Sequence, residues 1–566
     1  MTGTTTPTKF EDLLELIGTK GRWQYRTFFF LWIEGIIIGF HHLSSVFLGY
    51  TPGFWCSDPD ISYPGSWTPD QIKNYTVPVD SGGKFETCFM YNLTGVNINS
   101  DFSTAMIERV GGVKGCSNYE YNKDMGITIV SEWDLVCDRT ALLSTVQGSY
   151  MGGVFVGCIF WGWCSDKFGR RPSILVSCLF QIFSSVAAAF SVNYIMFIFF
   201  RFFVAFSVSG VFECGFVLVT EIVSAELRTP FGIMTQFPFG IGASLLPLVA
   251  YFIKDWQPLQ LAISIPSILL VTYYWFIPES PRWLVSENRY PEALQVLKEA
   301  AKINGNSLPS DEEMLDLLEN IAKEEQIIEP ATKTSKEKVE HVFKEMIALF
   351  KTPEMRKRTL NIYFSWMVVA GVYYGLSFNT KNIGGDIYIS NFIAGMAEVV
   401  ACVLIIPALN RFGRVKCYSG TFLIGGLACI AVAVILWTTD EGSLVWLIIT
   451  LSMTGKFLIA GTFALAYLYT AELFPTPVRN VAVGGASTFA RVGSMSAPYI
   501  VDILGKRSAG VPSLIFGISA TLAGLFATML PETLNRKLPE TIEDVEEYGR
   551  LKKDKSMGIA DTELQA

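Results

Sequence analysis

Twelve stretches of this chain are long and apolar enough to cross a bilayer, and that count fixes most of what it can become. They lie near 25–50, 141–161, 173–191, 194–220, 230–253 and 258–277, then near 359–379, 386–409, 417–438, 443–471, 477–504 and 511–531. About 20 apolar residues in a helix cover roughly 30 Å of hydrocarbon. Lipid offers backbone groups no partner, so each stretch must be a helix or a strand of a closed barrel. These runs are continuous and lack the alternation of barrel strands, so the expected fold class is an all-α membrane protein with 12 transmembrane helices. The composition agrees: only 17% of residues are charged and 50% are hydrophobic. A net charge of −8 gives no electrostatic footprint for nucleic acid.

Loop chemistry sets the orientation. The short loops 162–172 and 410–416 carry Lys167, Arg170 and Arg171, then Arg411, Arg414 and Lys416. Basic short loops stay cytoplasmic, which places both termini there and the long loop 51–140 outside. That loop carries both glycosylation sequons, at Asn74 and Asn92, and the cysteines Cys56, Cys88, Cys116 and Cys137. Four cysteines in oxidising space are able to form two disulfides, in any of three pairings. The same loop has 12 acids against 6 bases. It is readable as a vestibule that concentrates cations or simply as the complement of bases retained inside. Residues 1–24 show no cleavage site after a short apolar core, so the first span is expected to direct insertion itself.

The halves share their punctuation. Asp166-Lys167-Phe168-Gly169-Arg170 is echoed by Asn410-Arg411-Phe412-Gly413-Arg414, 244 positions on. Glu221 and Arg228 are echoed by Glu472 and Arg479, 251 positions on, and Pro278-Glu279 by Pro531-Glu532, 253 positions on. Three matches at nearly one offset, all at the same ends of even-numbered helices, mark parallel repeats about an axis along the membrane normal. The expected organisation is a cytoplasmic N-terminus at 1–24 and a six-helix half at 25–277 that includes the outer loop. A cytoplasmic linker follows at 278–358, then a second half at 359–531 and a tail at 532–566. Within the linker 286–303 and 311–326 look amphipathic, and 327–340 reads as a polar, mobile stretch. Such halves rock about a central site. The expected gating residues are Asp166, Arg170, Glu221, Arg228, Glu279, Arg414, Glu472 and Arg479, forming ion pairs that hold the inner gate. The competing reading is that they are helix caps and orientation signals.

These residues also carry a resemblance. GWCSDKFGRR at 162–171 resembles the loop signature of the major facilitator superfamily. SEWDLVCD at 131–138, PESPRWL at 278–284 and YTAELFPTPVRN at 469–480 resemble the organic-ion solute carrier family, which comprises organic cation, carnitine and organic anion transporters. The resemblance covers roughly 20–548. It implies alternating-access movement of a small organic ion across the plasma membrane by a multi-pass protein without cofactor or metal.

An ionisable side chain inside a span is costly unless paired or wetted, which makes it a site hypothesis. Glu34, Arg201, Glu213, Glu398, Lys456 and Arg491 qualify. Helix rise puts Glu398 about 18 Å below the outer end of its span and Arg491 about 21 Å above the inner end of its own, both central. Arg201 and Lys456 lie nearer outer ends, where snorkelling gives them a structural role. In the resembled family the position of Arg491 is usually acidic in cation members and Arg in carnitine and anion members. The position of Glu398 is Glu in cation and carnitine members. The combination implies the organic cation/carnitine type, a guanidinium for a carboxylate and an acid for an ammonium group. The bland alternative is a salt bridge between the two. Tyr373 and Tyr374 offer cation–π faces beside Asn379, and Gln236 is a further polar candidate. The expected substrate-binding set is Arg491, Glu398, Glu34, Glu213, Gln236, Tyr373 and Tyr374. At 34–42, where the resemblance places a coupling sodium in carnitine members, the sequence reads EGIIIGFHH. Sodium and proton both stay open as coupling ion, with His41 and His42 able to titrate.

Three functions compete. The leading one is a transporter of organic cations or zwitterions that resemble carnitine, choline or monoamines. The second is an organic-anion exchanger lined by Arg491, Arg201 and Lys456. The third is a receptor that binds such an ion without moving it. An enzyme is disfavoured: the sequence has three His, no Walker loop and no metal-ligand cluster.

Overall fold

The first span runs over Arg22–Leu43 and continues as Ser45–Leu48. In the computed structural model it opens a bundle of twelve. The structure describes residues 10–58, 63–64, 66–79, 85–93, 102–108, 112–124, 126–328, 335–380, 385–439, 444–506, 508–534, 536 and 539–548. Among the described residues nine helical segments are long and apolar enough to cross a membrane by themselves. The other three spans are informative exceptions. The fifth is divided into Ala225–Met234 and Phe237–Phe252, with Gln236 and Pro238 at the break. The seventh, Pro353–Asn379, opens on Glu354, Arg356, Lys357 and Arg358. The eleventh, Thr476–Tyr499, is rich in Gly, Ser and Thr and carries Arg491. These three spans contribute Gln236, Tyr373, Tyr374 and Arg491 to the central cavity. The fifth falls short by the length its break leaves, and the seventh and eleventh by their polar residues.

Close packing within each half depends on small residues. Spans two, Thr140–Phe168, and four, Tyr194–Ile222, meet where Gly153 faces the carbonyl of Phe202 and Gly157 faces Ser209. A side chain at either position would collide with the neighbouring helix. The helix carries two consecutive GxxxG motifs, 148–152 and 153–157, and the glycines of the first, Gly148 and Gly152, face Tyr499 and Met495 of the eleventh span. One glycine-rich helix thus touches its own half on one side and the other half on the next.

The halves are joined toward the end that carries the loop between spans one and two. Ser144 donates to Asp502 at 3.0 Å, and Tyr499 donates to Thr145 at 3.4 Å. Lys506 donates to the carbonyl of Cys137 at 3.0 Å. Ring contacts add to this closure: Phe47 stacks on Tyr388 and Tyr251 meets it edge-on. In the loop itself β1 (Phe54–Ser57) pairs antiparallel with β4 (Asn118–Tyr121), and β2 (Phe89–Tyr91) with β3 (Val113–Gly115). Disulfides join Cys56 to Cys116 and Cys88 to Cys137, with Cα separations of 5.6 and 5.7 Å. Of the three possible pairings this is the one the strands select. Asn74 and Asn92 are exposed, whereas Thr94 of the second sequon lies outside the described residues.

At the opposite end the linker folds. Pro281–Ser286, Tyr290–Asn304 and Asp311–Ile328 are helices, and a short helix, Phe10–Ile17, buries Phe10, Leu13, Leu14 and Ile17 in the same apolar cluster as Leu297 and Leu318. The chain read as mobile at 327–340 is partly otherwise. Ser335–Lys351 is a helix leading into the seventh span, while 329–334 lie outside the described residues. Its polarity had masked an amphipathic spacing completed only by residues beyond 340.

Candidate substrate site

A cavity lies between the halves, lined by residues from both. Arg491, Glu398, Glu213, Gln236, Tyr373 and Tyr374 all line it, joined by His42 from span one and by Phe463 and Tyr467 from span ten, Val445–Leu473. Glu34 does not. It is buried at 1% exposure beside Gln181 of span three, Arg170–Ala189, inside the N-terminal half. Its neighbour Gly35 lines the cavity instead. Successive helical residues point about 100° apart, so one position decides the side. Glu34 is thereby set aside as a substrate contact.

The charges pair differently from the sequence expectation. Nη2 of Arg491 lies 3.8 Å from Oε1 of Glu213, on span four, and 3.9 Å from the sulfur of Cys158, on span two. Arg491 does not bridge to Glu398. The hydroxyl of Tyr373 donates to Oε2 of Glu398, on span eight (Ile387–Phe412), at 2.5 Å. Behind the ring, Nζ of Lys456 sits 3.2 Å from its centroid and donates to Ser377 at 2.5 Å. Lys456 is 4% exposed, so it is an internal cation and does not snorkel. Arg201 is fully buried, donating to Ser44 at 3.1 Å and to the carbonyl of His41 at 3.1 Å, over the ring of Tyr150.

From the sequence His42 is a residue able to titrate, or a polar residue near a helix end, with no place assigned at the substrate site. Here its Nδ1 lies 2.9 Å from the hydroxyl of Tyr150 and its ring lies over Tyr374. Phe463 and Tyr467, four residues apart and seven and eleven beyond Lys456, share its helix face. That spacing was the available signal for them. Asn379, grouped with the tyrosines in the sequence, instead donates to Ser513 at 3.4 Å.

The repeated acids and bases sit at the end opposite the disulfides, and their ion pairs stay within a half. Arg170 grips Glu221 with Nε at 3.0 Å and Nη2 at 2.8 Å, and reaches Asp166 at 3.1 Å. Glu279 accepts from the backbone N–H of Arg170 at 2.8 Å. In the second half Arg414 reaches Glu472 at 3.2 and 3.3 Å, and Glu532 accepts from the backbone N–H of Arg414 at 2.7 Å. Each acid caps the start of a helix, where the backbone donors are otherwise unmet. Burial raises the carboxyl of Glu279 above its usual range, and the backbone donors around it hold it back. Gly169 and Gly413 adopt φ of +103° and +88°, with Glu279 and Glu532 against them. Arg228 bonds the carbonyl of Thr220 at 3.0 Å and Glu11 at 3.1 Å, and Arg479 bonds the carbonyl of Phe474 at 3.2 Å. An ion-pair lock between the halves is not what these eight residues build here.

Two parallel six-helix halves around a charged, aromatic cavity define a transmembrane transporter of the major facilitator fold. The model of the Sugar (and other) transporter family matches residues 87–544. An organic cation transporter protein of Drosophila melanogaster is 34% identical over 547 residues, covering 96% of this chain and 95% of that one. Solute carrier family 22 member 3 of mouse is 34% identical, covering 95% and 96%. Among solved structures, the inward-open form of the xylose transporter XylE from E. coli has a TM-score of 0.59 at 18% identity, covering 93% of this chain and 99% of that one; this likeness speaks to the fold. The chain belongs to the Sugar (and other) transporter family and, within it, to the organic-ion solute carriers.

Proposed function

We propose that this protein carries small organic cations across the plasma membrane by alternating access, with the repeated loops and both termini on the cytoplasmic side. The observation that carries the reading is the pairing of two carboxylates, Glu213 and Glu398, with aromatic walls in one cavity between the halves. An ammonium group is held by such a wall through cation–π contact worth about 0.5–2 kcal/mol per ring, and by an acid through charge. Transport by rocking of the halves 25–277 and 359–531 exposes the cavity first to one side and then to the other. Packing of spans two and eleven at the disulfide end corresponds to a carrier shut toward the outside. In this reading the repeated acids and bases move with their own half as rigid ties. The sequons at Asn74 and Asn92 are glycosylated on the outer loop.

An anion exchanger is less well supported. Of its three expected basic residues only Arg491 lines the cavity among the described residues. Uptake of tetraethylammonium into cells expressing the protein, at several sodium concentrations and pH values, tests the proposal. Saturable uptake lost in Glu398→Ala supports it. Uptake of a dicarboxylate in place of the cation refutes it. Counterflow of labelled cation in proteoliposomes separates a carrier from a receptor that binds without transport.

A further inference from the structure

The cavity's acids are not equivalent. Glu398 is committed: Tyr373 donates to it at 2.5 Å, and Lys456 balances its charge from behind that ring. Glu213 is held loosely. It has Arg491 at 3.8 Å, beyond hydrogen-bond reach, and the thiol of Cys158 at 3.5 Å, and a third of its side chain stays exposed. Arg491 is equally under-used. Its side chain is 10% exposed, its Nε has no acceptor among the described residues, and its other polar contact is a sulfur at 3.9 Å. A guanidinium is built to take a carboxylate in a fork of two bonds, and this one has a carboxylate near it without the fork. The two partners belong to different halves, Glu213 to span four and Arg491 to span eleven.

We propose that Glu213 is the site's built-in anion and that a zwitterionic substrate, a carboxylate on a short arm from an ammonium, enters by exchange. Its carboxylate replaces Glu213 on Arg491, and its ammonium takes the released Glu213, with Phe212 and Tyr467 of the same cavity lining at hand. No charge is left unmatched before or after, so the exchange avoids the penalty that a lone buried charge incurs. A simple carboxylate gains Arg491 but strands Glu213. A simple cation gains Glu213 but strands Arg491. Glu213 thus sets the selectivity, favouring ions that carry both groups. The inference rests on the cavity being the organic-cation site proposed above.

Trimethylglycine, tetramethylammonium and acetate test this, because the first combines the charged parts of the other two. Each is run as a competitor of tetraethylammonium uptake. Wild-type protein should respond to trimethylglycine at a concentration at least tenfold below that of either fragment. Glu213→Gln, which keeps size and removes charge, should make acetate at least tenfold more effective and tetramethylammonium less so. Glu213→Asp should leave acetate as weak as in wild type. Trimethylglycine no better than tetramethylammonium, or acetate unchanged by Glu213→Gln, overturns the exchange. If wild-type protein takes up no tetraethylammonium, the transport reading fails by itself. The exchange is then judged by the thermal shift of purified protein with the same three compounds, where the same ranking supports it and its absence overturns it.

Discussion

Tyr373 and Glu398 are joined by a 2.5 Å hydrogen bond from phenol to carboxylate, spanning the seventh and eighth helices. The bond fixes where the acid points and keeps its charge aimed at the cavity. Hydrogen bonds to a charged group contribute about 1.5–3 kcal/mol. Tyr373→Phe should therefore lower the unfolding temperature of purified protein and raise the KM for tetraethylammonium several-fold, leaving the ring in place. Unchanged values for both would mean that the phenol is not positioning Glu398.

Lys456 lies outside the cavity lining, packed behind the ring of Tyr373. It offsets the charge of Glu398 from within the protein. Lys456→Gln retains a donor for Ser377 and removes the positive charge. The expected outcome is tighter tetraethylammonium binding, by about tenfold, which corresponds to about 1.4 kcal/mol. Competition binding on purified protein reads this directly, and weaker binding would show that Lys456 supports the site instead of competing with its ligand.

The spans and the charged set were readable because both rest on strong, local penalties. Twenty apolar residues in a row have few soluble alternatives, and a buried charge is rarely idle. Weak hydropathy was no guide to the cavity, since Glu398 and Glu213 sit on strongly apolar spans and line it beside Gln236 and Arg491. Pairing was not readable. Whether Arg491 meets Glu398 or Glu213 depends on how the halves dock, and no spacing along the chain encodes that. Glu34 fell on the wrong side of its helix because Glu34 and Gly35 differ by one position on a span that is apolar nearly all round. The helix Phe10–Ile17 was hidden in a polar N-terminus because its apolar face is matched only by linker helices far along the sequence.

Arg170 and Glu221 form a forked ion pair with side chains only 10% and 14% exposed. Removing one partner leaves the other buried and unmatched, at a cost of about 3–5 kcal/mol. Arg170→Ala should lower thermal stability sharply, and the double variant with Glu221→Ala should recover part of the loss. Arg414→Ala should cost less, since its contacts to Glu472 are longer, at 3.2 and 3.3 Å. Equal effects of all three variants would show that the fork carries no special weight.

Gly169 is the tightest constraint of the repeated motif. Its φ of +103° is one that side chains disfavour, and a Cβ there would press into Glu279, the acid that caps the start of span three. Gly169→Ala therefore meets two costs at once, backbone strain of about 1–3 kcal/mol and displacement of the cap. Gly413 repeats the arrangement against Glu532, so Gly413→Ala should be destabilising in the same way. At Gly162, on the same segment, a Cβ would meet nothing within 4 Å, and Gly162→Ala serves as the control with wild-type stability. Thermal unfolding of the purified variants checks the ranking. If Gly162→Ala is as damaging as the other two, the conformation and cap at Gly169 and Gly413 are not what the repeated glycines serve.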